Sequence, residues 1–311
     1  MAQWGCDEQI ATQLVHRYLD AGGNVIDTAS GYLQSEEICG RALRGKRDQV
    51  VLATKFGMAV GAGPHARSTG RKHIKEVCET SLRRLHTDRI DLYWLHADDV
   101  ATPLDETFGA LEDLIREGKV LYTGVSNLRA YRVMKALSVC DRLALTRPIA
   151  YQGEYNLIVR SLEREHVQLF AEEGLGLMSW SPLAAGMLTG KVRPGDTSES
   201  TRLVKHEVAF DAFHKNERGF RVATIVQKAA AELGCTPAQL ALAWQRSRPV
   251  TSVIIGARTL SQLDDNLGSL DVRIPAQMLV ELDRATAIQG EYPGAFADTF
   301  QQWFLNRGGN D

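Results

Sequence analysis

The sequence predicts an α/β fold: a single (β/α)8 TIM-type barrel domain over residues 1–311, lacking the first of its strands, and three observations carry that expectation. Short apolar runs rich in β-branched residues alternate along the chain with longer stretches of helical period, the order that builds a parallel sheet. The runs are continuously apolar instead of alternating, as strands covered on both faces are. No low-complexity linker divides the chain and no G-x-G-x-x-G follows a strand, so about 300 residues of this pattern favour one barrel over a two-domain doubly wound protein.

Taken in order, the chain opens on an amphipathic helix with Ile10, Leu14, Tyr18 and Leu19 on one side, which feeds the run Val25-Ile26-Asp27. Further strands are expected at Val50 to Thr54, Ile90 to Leu95, Val120 to Val125, Ile149 to Gln152, Leu177 to Trp180 and Val253 to Ile255. Helical periodicity falls between them, near 36–44, 72–85, 104–117, 128–139, 162–173 and 219–233. In the third of these helices Glu112, Asp113, Arg116 and Glu117 form a solvated face, and Gly118 suits the end of a helix. Seven runs stand where a closed barrel needs eight, so a strand is expected to be lacking before residue 7. The irregular stretch Arg193 to Arg218 is expected at the barrel mouth, with Gly57 to Gly70 and the tail from Gly290 to Gly309 beside it. In that tail Phe296, Phe300, Trp303 and Phe304 are expected to pack on the barrel wall more readily than to close over a substrate.

Composition narrows the classes of function. A formal net charge of −2 gives no electrostatic reason to bind nucleic acid or an anionic membrane. No run approaches the roughly 20 apolar residues of a membrane helix. The opening Met-Ala-Gln-Trp-Gly-Cys-Asp has neither the basic start nor the apolar core of a signal peptide. Cys6, Cys39, Cys78, Cys140 and Cys235 stand far apart without a C-x-x-C, and read as thiols of a reducing compartment. The expectation is a cytoplasmic protein acting on a small molecule, with homo-oligomerisation left open.

Active sites of such barrels gather at the carboxyl ends of the strands. Those ends carry Asp27 with Tyr32 just beyond it, Lys55, His96, Ser126-Asn127, Gln152 and Trp180. Any one of them has an ordinary alternative: a helix-capping Asp, a solvated Lys, a structural His, a core Trp. Asp, Tyr, Lys and His from successive strand ends form an inventory for proton transfer. The eight histidines place no pair at ligand spacing on consecutive strand ends, so no metal is expected.

The motifs Asp27-Thr28-Ala29-x-x-Tyr32, Ser35-Glu36-Glu37, Ala53-Thr54-Lys55, Leu95-His96 and Gly124-Val125-Ser126-Asn127 resemble those of the aldo-keto reductases. So do Ser179-Trp180-Ser181-Pro182-Leu183-Ala184, Gly190-Lys191 and Ile255-Gly256-Ala257-Arg258 with Gln262 and Asn266, and the likeness leans toward the channel-beta-subunit-like branch. The resemblance implies hydride transfer between NADP(H) and an aldehyde, ketone or sugar-like carbonyl, or the matching alcohol, with Tyr32 as general acid or base. A free tyrosine, titrating near roughly 10, holds its proton too tightly to release it easily at neutral pH, and a nearby ammonium, Lys55, favours the phenolate. Asp27 would hold Lys55, and His96 would orient the carbonyl. The same resemblance assigns Ser126, Asn127 and Gln152 to the nicotinamide carboxamide and Trp180 to its ring. Ser181, Leu183, Gly186 and Lys191 then follow the pyrophosphate, Gly256 and Arg258 the 2′-phosphate side, and Gln262 and Asn266 the adenine side. An arginine suits a phosphate by charge and planar geometry, which favours NADPH.

Three departures stand out: the family's N-terminal hairpin and first strand are expected to be lacking, only Leu33-Gln34 separates Tyr32 from Ser35, and Ala97-Asp98-Asp99 follows His96. The added carboxylates read as solvated rim charges, or as a preference for polar or cationic substrates. Two further readings accompany the reductase: a cofactor-binding regulatory subunit of a membrane channel, and a truncated inactive homologue.

Overall fold

The computed structural model describes residues 6–58, 68–192 and 214–307. Its seven strands are β1 (Val25–Asp27), β2 (Val51–Phe56), β3 (Ile90–Leu95), β4 (Val120–Ser126), β5 (Ala150–Glu154), β6 (Gly176–Trp180) and β7 (Ser252–Val253). They pair in sequence order, every pair parallel, in one curled sheet. This is consistent with a (β/α)8 barrel lacking one strand; among the described residues β1 and β7 do not pair with each other.

Period-2 geometry sorts the side chains. Ala53, Leu92, Trp94, Ala150 and Met178 form one cluster with Val25 and Ile254, and this cluster fills the inside of the sheet. The alternate positions Phe56, Tyr93, Leu95, Val125, Tyr151 and Leu177 belong to the larger core under the helices. Trp94 is fully buried, and the space for its ring comes from Gly124 on the neighbouring strand. A Cβ on Gly124 would lie 2.3 Å from Trp94 Cζ3. Gly124→Ala is therefore expected to lower stability by about 1–3 kcal/mol through overpacking, read as a shift of the denaturant midpoint; an unchanged midpoint contradicts this packing.

The outer layer contains α1 (Glu8–Asp20), α2 (Ser35–Ala42), α3 (Arg71–Leu85), α4 (Leu104–Arg116), α5 (Ala130–Arg142), α6 (His166–Glu173), α7 (Glu217–Leu233), α8 (Pro237–Gln245), α9 (Leu260–Gly268) and α10 (Ala276–Thr286). Asp7 caps α1 by accepting from Ile10 N at 2.8 Å. α1 packs on α2 and also on α9, where Leu14 and Leu263 share a cluster and Arg17 Nε meets Asp264 at 2.8 Å. The helical layer thus bridges the two edges that the sheet leaves unpaired.

Several expectations are corrected at their edges. The helix expected over 162–173 divides into a 3-10 turn at Ser161–Arg164 and α6. The last strand is Ser252–Val253, though Ile254 N still donates to Ser179 O at 2.8 Å. α8 is unforeseen because nearly all its residues are buried, so it has no polar face to give a period; a capping box of Thr236 and Gln239 starts it. Most of the stretch Arg193 to Arg218, and residues 59–67 of Gly57 to Gly70, lie outside the described residues; Glu217 and Arg218 already belong to α7. The tail forms α11 (Gly294–Arg307). Phe296, Phe300, Trp303 and Phe304 do not pack on the wall: they remain 45–61% exposed and touch one another, ring centroids 5.1–5.7 Å apart. The five cysteines are free thiols.

Candidate active site

The strand ends fix the site. β1 finishes on Asp27 and β2 carries Lys55 two positions past the Asp27↔Ala53 pairing, on the same face of the sheet, so their inward side chains meet. Lys55 is 1% exposed and its Nζ donates to Asp27 Oδ2 and, at 2.8 Å, to Thr28 O. A buried ammonium needs such partners, since its transfer from water is otherwise prohibitive. The Ala29–Ser35 loop returns over this pair. Ser30 donates from both N and Oγ to Lys55 O, at 3.2 and 2.8 Å, and Tyr32 O accepts from Ser35 N at 2.9 Å. Only two residues separate Tyr32 from Ser35, and the turn is closed with Leu33 in the left-handed region, φ 46.

Tyr32 is half-buried, with Lys55 Nζ 5.2 Å from its ring centre. Its hydroxyl lies 3.4 Å from His96 Nε2, the rings meeting edge to face. Burial, and then the Lys55 charge, push His96 down to about 3. The imidazole is accordingly neutral at physiological pH. Its Nδ1 is buried without a hydrogen-bond partner.

A second layer of hydrogen bonds ties the remaining strand ends to these four residues. Asn127, at φ 60, donates from Nδ2 to His96 O at 3.0 Å and to Ser126 Oγ at 2.9 Å. Trp180 Nε1 donates to Asn127 Oδ1 at 3.2 Å. Gln152 Nε2 donates to Asp27 Oδ1 at 3.0 Å. Asp27, Tyr32, Lys55, His96, Ser126, Asn127, Gln152 and Trp180 therefore form one connected cluster at one end of the sheet.

After β6 the backbone takes an unusual course. Ser181, Ala184, Ala185, Gly186 and Gly190 all have positive φ, and the non-glycine members are strained at about 1–3 kcal/mol each. Ser181 Oγ accepts from Ala185 N at 3.2 Å, Leu183 precedes the 3-10 turn Ala184–Thr189, and Lys191 is exposed. A Cβ on Gly186 or on Gly256 would meet nothing within 4 Å, so both glycines face open space. Beyond β7, Gln262 Oε1 accepts from Arg258 N at 2.9 Å, and Asn266 Nδ2 donates to Gly256 O at 3.3 Å. Gln262 and Asn266 thus brace the Gly256–Arg258 turn.

The roles of several other residues here escaped the sequence reading. Asp98 and Asp99 are not loose rim charges. Asp98 takes a bidentate grip from buried Arg132 of α5, with the closest approach 2.8 Å, and Asp99 accepts from Thr69 N, Thr69 Oγ1 and Thr102 Oγ1. Both carboxylates anchor the loop that follows His96. Glu36, fully buried in α2, accepts from Thr54 Oγ1 at 2.7 Å and pairs with Arg84, which fixes the helix behind Tyr32. Glu154, the last residue of β5, bonds buried His214. An acidic residue on an otherwise apolar helix face was the available signal for Glu36, and the nearby Thr102 was one for Asp99; Asp98 and Glu154 have partners too far along the chain to leave one. Among the described residues no group of His, Cys, Asp and Glu is arranged to hold a metal ion, and no helix is long and apolar enough to cross a membrane.

Comparison with known proteins agrees with this architecture. The sequence profile described as "Aldo/keto reductase family" matches residues 2–287. A "Probable voltage-gated potassium channel subunit beta" of Oryza sativa subsp. japonica is 37% identical over 301 residues, covering 92% of this chain and 89% of its own. A protein of the same description from Arabidopsis thaliana is 36% identical over 291 residues, covering 89% and 87%. An "Aryl-alcohol dehydrogenase [NADP(+)]" of Phanerodontia chrysosporium is 31% identical over 309 residues, covering 92% and 78%. By profile, by these relatives and by its parallel barrel-like sheet, the chain belongs to the aldo/keto reductase family.

Proposed function

We propose that this protein is an NADPH-dependent oxidoreductase that reduces an aldehyde, ketone or sugar-like carbonyl, or oxidises the corresponding alcohol, with Tyr32 as the group that gives or takes the proton. The observation that carries the reading is Tyr32 itself, its hydroxyl 3.4 Å from a neutral His96 and its ring centre 5.2 Å from the buried ammonium of Lys55. The NADP(+) in the description of the fungal relative supports the choice of cofactor.

The donor set suits a nicotinamide dinucleotide. Asn127, Gln152 and Ser126 offer amide and hydroxyl groups to a carboxamide, and Trp180 offers a flat, partly exposed face to its ring. The left-handed run from Ser181 to Gly190, with Leu183, Gly186 and Lys191, suits a pyrophosphate, since successive turns of this kind form concavities for anions. Arg258, on the turn braced by Gln262 and Asn266 beside Gly256, suits a 2′-phosphate. When bound, the cofactor supplies the hydride.

The chain's own residues supply the proton and the orientation. As charge grows on the carbonyl oxygen, the Tyr32 hydroxyl donates its proton, and the Lys55 ammonium stabilises the phenolate left behind. Asp27 and Thr28 O hold Lys55 so that it does not reorganise during the step. A neutral His96 orients the carbonyl without adding a second positive charge to the proton donor. Free thiols and a near-neutral net charge support a cytoplasmic setting and a small-molecule partner rather than nucleic acid or membrane.

Titration of NADPH and NADH by protein fluorescence, followed by a carbonyl and alcohol screen at the nicotinamide absorbance band, tests the reading. Arg258→Gln is expected to weaken NADPH by roughly 10–100-fold, the worth of a charge-assisted hydrogen bond, and to leave NADH unchanged. Equal weakening of both would remove Arg258 from the 2′-phosphate.

The two plant relatives favour a second reading, a cofactor-binding regulatory subunit of a membrane channel, in which turnover is slow. Co-purification with a membrane protein, together with negligible turnover across the screen, would select it.

A further inference from the structure

Gln152 lies on β5 with its side chain inside the sheet, and it is 3% exposed. The acceptor of its Nε2 is on β1, and three strands stand between β1 and β5, so this 3.0 Å hydrogen bond crosses the interior. The other oxygen of the same carboxylate receives Lys55 Nζ. Asp27 is therefore gripped from two sides, by an ammonium from the adjacent strand and by an amide from across the barrel.

We infer that Gln152 is a positioning residue of the proton-donor site, which fixes the plane of the Asp27 carboxylate and so the seat of Lys55 beside Tyr32. The inference rests on the reading of Tyr32 as the proton donor. The terminal torsion of an aspartate is broad, so a carboxylate bonded through one oxygen alone can swing. A second donor on the second oxygen removes that freedom and keeps the carboxylate satisfied in a place where an unpaired charge is costly. Among the described residues Gln152 Oε1 accepts no hydrogen bond. A ligand donor reaching that oxygen would polarise the amide and strengthen its N–H toward Asp27. Occupancy of the cleft and the firmness of the Lys55 seat are then coupled through one side chain.

Gln152→Leu and Asp27→Asn, made singly and together, test this. If Gln152 acts through Asp27, Gln152→Leu lowers kcat about 10-fold or more in the unmutated background, the cost of a misplaced reacting group. In the Asp27→Asn background it lowers kcat by less than about twofold, because residues acting through one another are not additive. Equal losses in both backgrounds overturn the inference. A second readout needs neither cofactor nor turnover: in the full chain, the side-chain 15N–1H signal of Gln152 moves on Asp27→Asn. An unmoved signal in a chain that turns over a carbonyl sinks the inference alone. Absence of turnover from the unmutated chain sinks the reading of Tyr32 and the inference together.

Discussion

Tyr32→Phe is expected to reduce kcat/KM for carbonyl reduction by about 10²–10⁴-fold, the usual contribution of a positioned general acid, or about 3–5 kcal/mol of transition-state stabilisation. The substitution removes one oxygen atom. Phenylalanine keeps the ring against Lys55 and the edge-to-face contact with His96, so the loop from Ala29 to Ser35 retains its packing. Among the described residues the hydroxyl's hydrogen-bond partner is His96 Nε2 at 3.4 Å, which is a weak bond in the resting site. The melting temperature and the fluorescence titration with NADPH should therefore stay close to those of the parent chain while turnover collapses. A variant that keeps full activity would sink the mechanism.

Lys55→Met is expected to act on stability as much as on rate. The side chain is sealed from water, and among the described residues its departure leaves the largely buried Asp27 carboxylate with only the Gln152 amide as donor. Breaking a buried ion pair by deleting one partner typically costs about 3–5 kcal/mol, most of it the penalty of the charge left behind. Denaturant unfolding should show that loss. Asp27→Asn in the same chain should recover a large part of it, because the amide needs no counter-ion, yet it should not recover turnover. A Lys55→Met chain as stable as its parent would mean that water reaches Asp27 in solution and that the pair is not the electrostatic core of the site.

The architecture was legible because its signals are local. Apolar runs such as Ile90 to Leu95 and amphipathic stretches such as 72–85 declare their period within a few residues, and parallel order follows from their alternation. The ends of those runs also located the cluster, since parallel strands in sequence order must bring Asp27, Lys55, His96, Gln152 and Trp180 to one side. The pairings inside the cluster were not legible. Gln152 and Asp27 lie 125 positions apart, Arg132 and Asp98 lie 34 apart, and nothing near either residue marks its partner. Asp98 and Asp99 consequently read as solvated when they are anchors. α8 was hidden for the opposite reason, being so thoroughly buried that it lacks the polar face from which helical period is recognised.

The bridge between α1 and α9 has a consequence for how the molecule assembles. From β1 to β6 each strand pairs with the next after a short excursion, as Val25 does with Val51, and β6 pairs with β7 after a longer one, whereas Arg17 and Asp264 are 247 positions apart. Loop-closure entropy rises only logarithmically, so that far longer loop costs about 2 kcal/mol more to close than a neighbouring strand pair. Assembly that spreads from neighbour to neighbour meets this contact last, when most of the intervening chain is already ordered and little of that entropy remains to be lost. The two ends of the sheet are thus brought together by the accumulated curl of the structure between them, and the junction of Leu14 with Leu263 records that the whole curl is in place.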